Sequence, residues 1–108
     1  MTITHCYQEN RIVFHIKGKI DTITAPLFEE YLQAHLDFEI GDIVFNLFEV
    51  EYIASSGLRL LLIAAKTAKV AERKVILQQV NATVLQVLAI SGFTSLFEME
   101  RQHGCFTT

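Results

Sequence analysis

Tryptophan is absent from this 108-residue chain, proline occurs once, cysteine twice, and the five glycines are scattered singly. Half of the residues are hydrophobic, so a collagen-like or low-complexity chain is excluded and a packed core is expected. The longest apolar run, Leu60 to Ala65, is far short of the ~20 residues that span a bilayer. The opening MTITHCYQEN lacks the basic and then apolar segments of a secretory signal, which makes the cytoplasm the expected compartment. No cluster of Lys and Arg is longer than Arg73-Lys74, and the formal net charge is -3. That balance gives no electrostatic footprint for nucleic acid or an anionic membrane surface. Neither a G-x-G-x-x-G fingerprint nor a phosphate-cradling P-loop can be assembled from the glycines present.

At this length the chain forms one domain, residues 1–108, burying roughly two-thirds of the surface exposed when unfolded. The two cysteines, Cys6 and Cys105, lack C-x-x-C spacing and are expected to stay as thiols in a reducing compartment. With His5 and His103 they make four candidate zinc ligands. Adjacent strand residues point to opposite faces, however, so His5 and Cys6 are poorly placed to share one metal, and ordinary packing roles are the simpler expectation.

Periodicity lays out the elements. Thr2–Gln8 and Arg11–Lys17 read as strands joined at Glu9-Asn10, with Ile12, Phe14 and Ile16 alternating against Val13 and His15. Helical spacing of Phe28, Tyr31, Leu32 and Leu36 predicts a helix over Ala25–Asp37, capped by Thr24 and admitting Pro26 in its first turn. Ile43–Leu47 is a short buried strand, followed by a loop and a helix over Ser56–Ala71. Val75–Leu77 opens another strand, Asn81 caps a helix through Ile90 that Gly92 stops, and Phe97–Glu100 is a candidate last strand. The expected fold is α/β: a mixed sheet in the order ββαβαβα, with an optional terminal strand and helices mainly on one face.

The stretch YIASSGLRLLLIAA carries the functional question. Ser55 or Ser56 could cap the helix that follows by accepting a bond from one of its free N–H groups. Ser55 could instead be a nucleophile at a strand-to-helix elbow, but Ile53 stands where that motif needs glycine, and the acids and base after it, Glu98, Glu100 and His103, crowd into one terminal segment. A third option is that Ser55 accepts a phosphate, which the free N–H groups and positive dipole end of a helix accommodate without melting it. At 3.6 residues per turn, Leu58, Leu61, Leu62, Ala65 and Ala68 face the core with Leu60 and Ala64 at the margin. The opposite side holds Arg59, Lys66 and Thr67, yet also Ile63 and Val70, which are either scattered surface hydrophobes or part of a docking patch.

Taken together, GKID at Gly18–Asp21, TAPLFEEYL, IVFNLFEVEYIASSGLRLLL and VLAISGFTSLFEM resemble the STAS domain of bacterial anti-sigma factor antagonists, in order and spacing over nearly the whole chain. The resemblance implies a non-enzymatic partner switch. Unphosphorylated, such a protein binds an anti-sigma factor that is also a serine kinase, and so releases a sigma factor for transcription. Phosphorylation of Ser55 reverses this, and a separate phosphatase resets it; ATP is bound by the kinase, and no cofactor or metal is implied for this chain. By the same resemblance Asp21, Ser56 and Gly57 support the acceptor, and Arg59, Ile63, Lys66 and Val70 form the docking side. Ala54 stands where many members carry aspartate. A STAS scaffold or accessory subunit, of a lipid-transport ATPase or a stress-signalling assembly, is the alternative that the resemblance leaves open.

Overall fold

A computed structural model describes residues 1–100. The elements are β1 Thr2–Gln8, β2 Arg11–Ile20, α1 Ala25–His35, β3 Asp42–Ile53, α2 Ser55–Val70, β4 Val75–Gln78, α3 Ala82–Ser91 and β5 Glu98–Glu100, with a 3₁₀ turn at Thr94–Leu96. This is the expected ββαβαβα order, with the terminal strand present. The five strands form one sheet in sequence order; β1 pairs antiparallel with β2, and all later pairs are parallel. Each parallel neighbour is reached through one helix, so the crossovers step in one direction and gather the helices on one face.

That face holds the main core. Ile12, Phe14 and Ile16 of β2, Ile43, Phe45 and Leu47 of β3, and Val75 and Leu77 of β4 pack against Phe28 and Leu32 of α1, Leu58, Leu61 and Ala65 of α2, and Val84 and Leu88 of α3. Phe45 is its centre: its ring stacks on Phe14 at 5.6 Å and meets the edge of Phe28 at 6.1 Å. The other face carries a smaller cluster of Val13, Val44 and Ile76, with Cys6 against it. Arg11 of β2 reaches Glu100 of β5 with Nη2 to Oε2 at 2.9 Å, a bond that has to cross β3 and β4. Gln78 donates to Glu100 at 2.8 Å and Asn46 donates to Gln78 at 2.9 Å, so a polar chain runs over the sheet beside Val44 and Ile76.

Several boundaries differ from the sequence reading for identifiable reasons. β3 does not stop at Leu47 but continues to Ile53, because residues 49–53 pair with Lys17–Ile20 across two register shifts, each with one extra residue in β3. The segment expected to be a loop is therefore a strand whose Val50 and Ile53 are buried. α1 ends at His35 rather than Asp37, whose carboxylate instead accepts the Glu39 N–H at 2.9 Å. Thr24 precedes α1 but its side chain does not cap it; the hydroxyl donates to the Lys19 carbonyl at 2.8 Å. α3 is as expected: Asn81 Oδ1 accepts the Val84 N–H at 3.0 Å, and Gly92 ends the helix at φ 78°, a conformation that favours glycine.

Candidate functional site

The ends of β2 and β3 set where α2 begins. The N–H of Ala54 donates to the Ile20 carbonyl at 2.8 Å, which fixes the turn out of β3 against the last residue of β2. Ala54, in an extended conformation, is the N-cap residue, and no side chain caps the helix. Neither Ser55 nor Ser56 is the cap that the sequence suggested: both already lie within the first helical turn, where a side chain no longer reaches back over the free N–H groups. Leu58 is bonded to the Ala54 carbonyl, so the N–H groups of Ser55, Ser56 and Gly57 lack an intrahelical partner.

The three residues differ in environment. Ser55 is exposed, Ser56 is half-buried and Gly57 is buried. The Ser56 hydroxyl oxygen is enclosed and has no hydrogen-bond partner among the described residues. A Cβ on Gly57 would run into the Ile20 side-chain methyl and approach Ile53 Cγ1 to 3.1 Å, so glycine is what lets the first turn of α2 settle onto the ends of β2 and β3. Gly57→Ala is expected to cost up to about 2 kcal/mol net: overpacking costs about 1–3, less the roughly 1 that alanine gains in a helix. Urea denaturation measures this, and a variant more stable than the parent would contradict the close-packing explanation.

Asp21 follows Ile20, whose carbonyl holds the Ala54 N–H. Its carboxylate accepts the Ile23 and Thr24 N–H groups, each at 3.0 Å, and its own N–H donates to Thr24 Oγ1 at 2.9 Å. The Thr24 N–H foremost, with the Ile23 N–H, holds the Asp21 carboxyl below its ordinary range. Asp21 thus organises the β2–α1 turn that flanks the start of α2.

The surface beside Ser55 has a defined shape. α1 and α2 bound a groove of about 420 Å³ lined by Thr22, Pro26, Glu29, Ser56, Arg59 and Ile63 among others. A second groove of about 220 Å³ shares Glu29, Leu60 and Ile63 with it and continues between the helices to Leu36 and Thr67. Arg59, Ile63, Lys66 and Val70 are all exposed, as expected, Ile63 by 46% and Val70 by 86%. At positions i, i+4, i+7 and i+11 they form one stripe down α2. The α1 contribution was missed in sequence: Pro26, Glu29, Gln33 and Leu36 line the two grooves at steps of three or four residues, a spacing that could have signalled it. No acidic residue occurs in the first turn of α2, and Arg59 lies one turn beyond Ser55.

The other sequence candidates lie elsewhere. His5 Nδ1 is 2.6 Å from the Tyr31 hydroxyl on the helix side of the sheet, while Cys6 faces His15 on the other side. His5 and Cys6 therefore do not converge on a metal; His103 and Cys105 lie outside the described residues. Of the acids considered for a hydrolytic triad, Glu98 pairs with Lys74 and Glu100 with Arg11, and His103 is outside the described residues. Among the described residues no helix is long and apolar enough to cross a membrane.

The family description "STAS domain" matches residues 4–104. BtrV of Bordetella bronchiseptica, named as an anti-sigma factor antagonist, is 29% identical over 97 residues, covering 90% of this chain and 84% of BtrV. A Thermotoga maritima protein described as an anti-sigma factor antagonist shares the fold with a TM-score of 0.84 at 16% identity, over 97% of this chain and 90% of that one. The anti-sigma factor antagonist SpoIIAA in its unphosphorylated form superposes with a TM-score of 0.78 at 17% identity, over 98% and 92% of the two chains. In its phosphorylated form, as the Bacillus cell fate determinant, the TM-score is 0.73 at 16% identity, over 98% and 96%.

Proposed function

This chain belongs to the STAS domain family, and from that premise we propose that it is an anti-sigma factor antagonist that works by exchanging partners. Unphosphorylated, it docks an anti-sigma factor serine kinase through the start and exposed stripe of α2, and the sigma factor held by that kinase is released. The kinase then moves the γ-phosphoryl group of its own ATP to Ser55. The Ser55 Oγ–P bond forms as the bond to ADP breaks, and the hydroxyl proton passes to a base on the kinase. A phosphatase reverses the modification by hydrolysis.

One observation carries this reading: Ser55 is the exposed first residue of an uncapped helix, beside an exposed stripe that holds Ile63 and Val70. A phosphate there meets free N–H groups and the positive helix end, with no acidic side chain in the first turn to repel it. The fold tolerates the modification while the docking surface acquires about -1.5 to -2 charges. The work of the switch falls on the interface.

Ile63 tests the docking surface. It lines both grooves between α1 and α2, so Ile63→Asp is expected to weaken kinase binding roughly tenfold or more while the circular dichroism spectrum is unchanged. Titration calorimetry against the kinase reads the change; unaltered affinity in a folded variant removes this face from the interface. Stable attachment to transporter or scaffold proteins instead, with Ser55 unmodified, would favour a subunit role.

A further inference from the structure

β1 is an edge strand: it pairs with β2 along one side and with no other strand of the described residues along the other. Edge strands are commonly defended by lysine, proline or a bulge. β1 reads TITHCYQ, without Lys, Arg, Asp, Glu or Pro, and keeps unbroken register with β2 through all seven residues. The two-residue Glu9-Asn10 turn, with Glu9 at φ 53°, makes Gln8 and Arg11 the hydrogen-bonded pair that closes the hairpin. By alternation the backbone groups of Cys6, Thr4 and Thr2 also face β2, and those of Ile3, His5 and Tyr7 face outward.

We propose that this outward edge pairs antiparallel with β1 of a second copy of the chain, about a two-fold axis at His5. Ile3 then stands opposite Tyr7 of the second copy, His5 opposite His5, and Thr4 opposite Cys6, and two five-stranded sheets become one. Shape selects a second copy. Tyr7 is 58% exposed, whereas Ile3 lines a groove of about 370 Å³ with Leu27, Tyr31 and His35. The two-fold lays each Tyr7 over the Ile3 and groove mouth of the other copy, an isologous contact of the aromatic-aliphatic kind that stabilises strand pairs. Charge agrees with shape. β1 carries no Lys, Arg, Asp or Glu, so antiparallel pairing of two copies sets no like charges of these types opposite each other along the ladder.

A seven-residue ladder is about 24 Å long and falls at the low end of interface sizes, so the dimer is weak and reversible. It uses none of the α2 residues and is independent of the function proposed above.

Disulfide trapping tests the register. In a background with Cys105→Ser, which removes the cysteine outside the described residues, Thr4→Cys places thiols at positions 4 and 6. Opposed non-hydrogen-bonded residues stand at ~4.5 Å between Cα atoms, within disulfide reach. Positions 4 and 6 of the same strand are ~7 Å apart, at the limit of that reach, so the linkage should join two copies. Mild oxidation at a protein concentration on the order of 100 µM, suited to a weak interface, is expected to give a covalent dimer linked from position 4 to Cys6, located by peptide mass spectrometry. Adding Tyr7→Lys should cut the yield at least about tenfold. Sedimentation of the reduced parent should show its average mass rising with concentration, and that of Thr4→Lys should not. A parent that stays monomeric throughout, or a dimer linked only through Cys6 to Cys6, overturns the proposal.

Discussion

Ser55→Asp is expected to bind the serine-kinase partner about 30- to 100-fold more weakly than Ser55→Ala, with both variants folded and similarly stable. The factor corresponds to about 2–3 kcal/mol, the scale on which an interface rejects an unpaired charge that it must desolvate or repel. Ser55 lies at the first position of α2, where an acidic side chain is favoured by the helix dipole rather than penalised. The fold therefore accepts the charge that the partner does not. Ser55→Ala removes the acceptor and should stay in the binding form indefinitely, even with kinase and ATP present. Genuine phosphate, carrying up to twice the charge of aspartate, should have the larger effect. Titration of both variants against the kinase makes the comparison, and equal affinities would remove Ser55 from the switch.

Phe45→Ala is the opposite case: it should leave the switch surface intact and remove much of the stability beneath it. Phe45 is fully buried on the central strand, between the rings of Phe14 and Phe28. Truncating such a side chain costs about 3–5 kcal/mol in lost transfer free energy and cavity formation. Domains of this size are stable by only about 5–15 kcal/mol, so the variant should melt on the order of 20 °C lower. Thermal and urea denaturation measure the loss. A cost under about 1 kcal/mol would mean that the core closes around the gap and that Phe45 is not its centre.

The contrast between the two positions reflects what the sequence made legible. Helical period sorted most of α2 correctly, into a buried stripe through Leu58, Leu61, Ala65 and Ala68 and an exposed stripe through Arg59, Ile63, Lys66 and Val70; Leu62, expected to face the core, is only half-buried, and Ala64, expected at the margin, is buried. The order of elements along the chain followed from strands alternating with helices. What stayed hidden depends on contacts distant in sequence. Phe48 to Ile53 lacks a clean two-residue period, because β3 pairs with β2 across register shifts, so its pattern resembled a loop. Two serines at a helix start look like a cap, but the Ala54 N–H bonded to the Ile20 carbonyl sets the helix one residue earlier than a serine cap requires. Asp21 resembled a neighbour of the acceptor; the structure adds that its Oδ1 accepts two N–H bonds in the turn before α1. The α1 side of the groove, with Pro26 and Glu29, emerges only once the helices are packed together.

Phosphopeptide mass spectrometry on the protein isolated from its own cells, with the bound proteins identified in parallel, tests the central claim most directly. The account predicts phosphate on Ser55 in part of the population, and a serine-kinase anti-sigma factor bound to the unmodified fraction and depleted from the modified one. Ser55 unmodified under every growth condition, or a phosphorylated fraction that keeps its kinase partner, would contradict it.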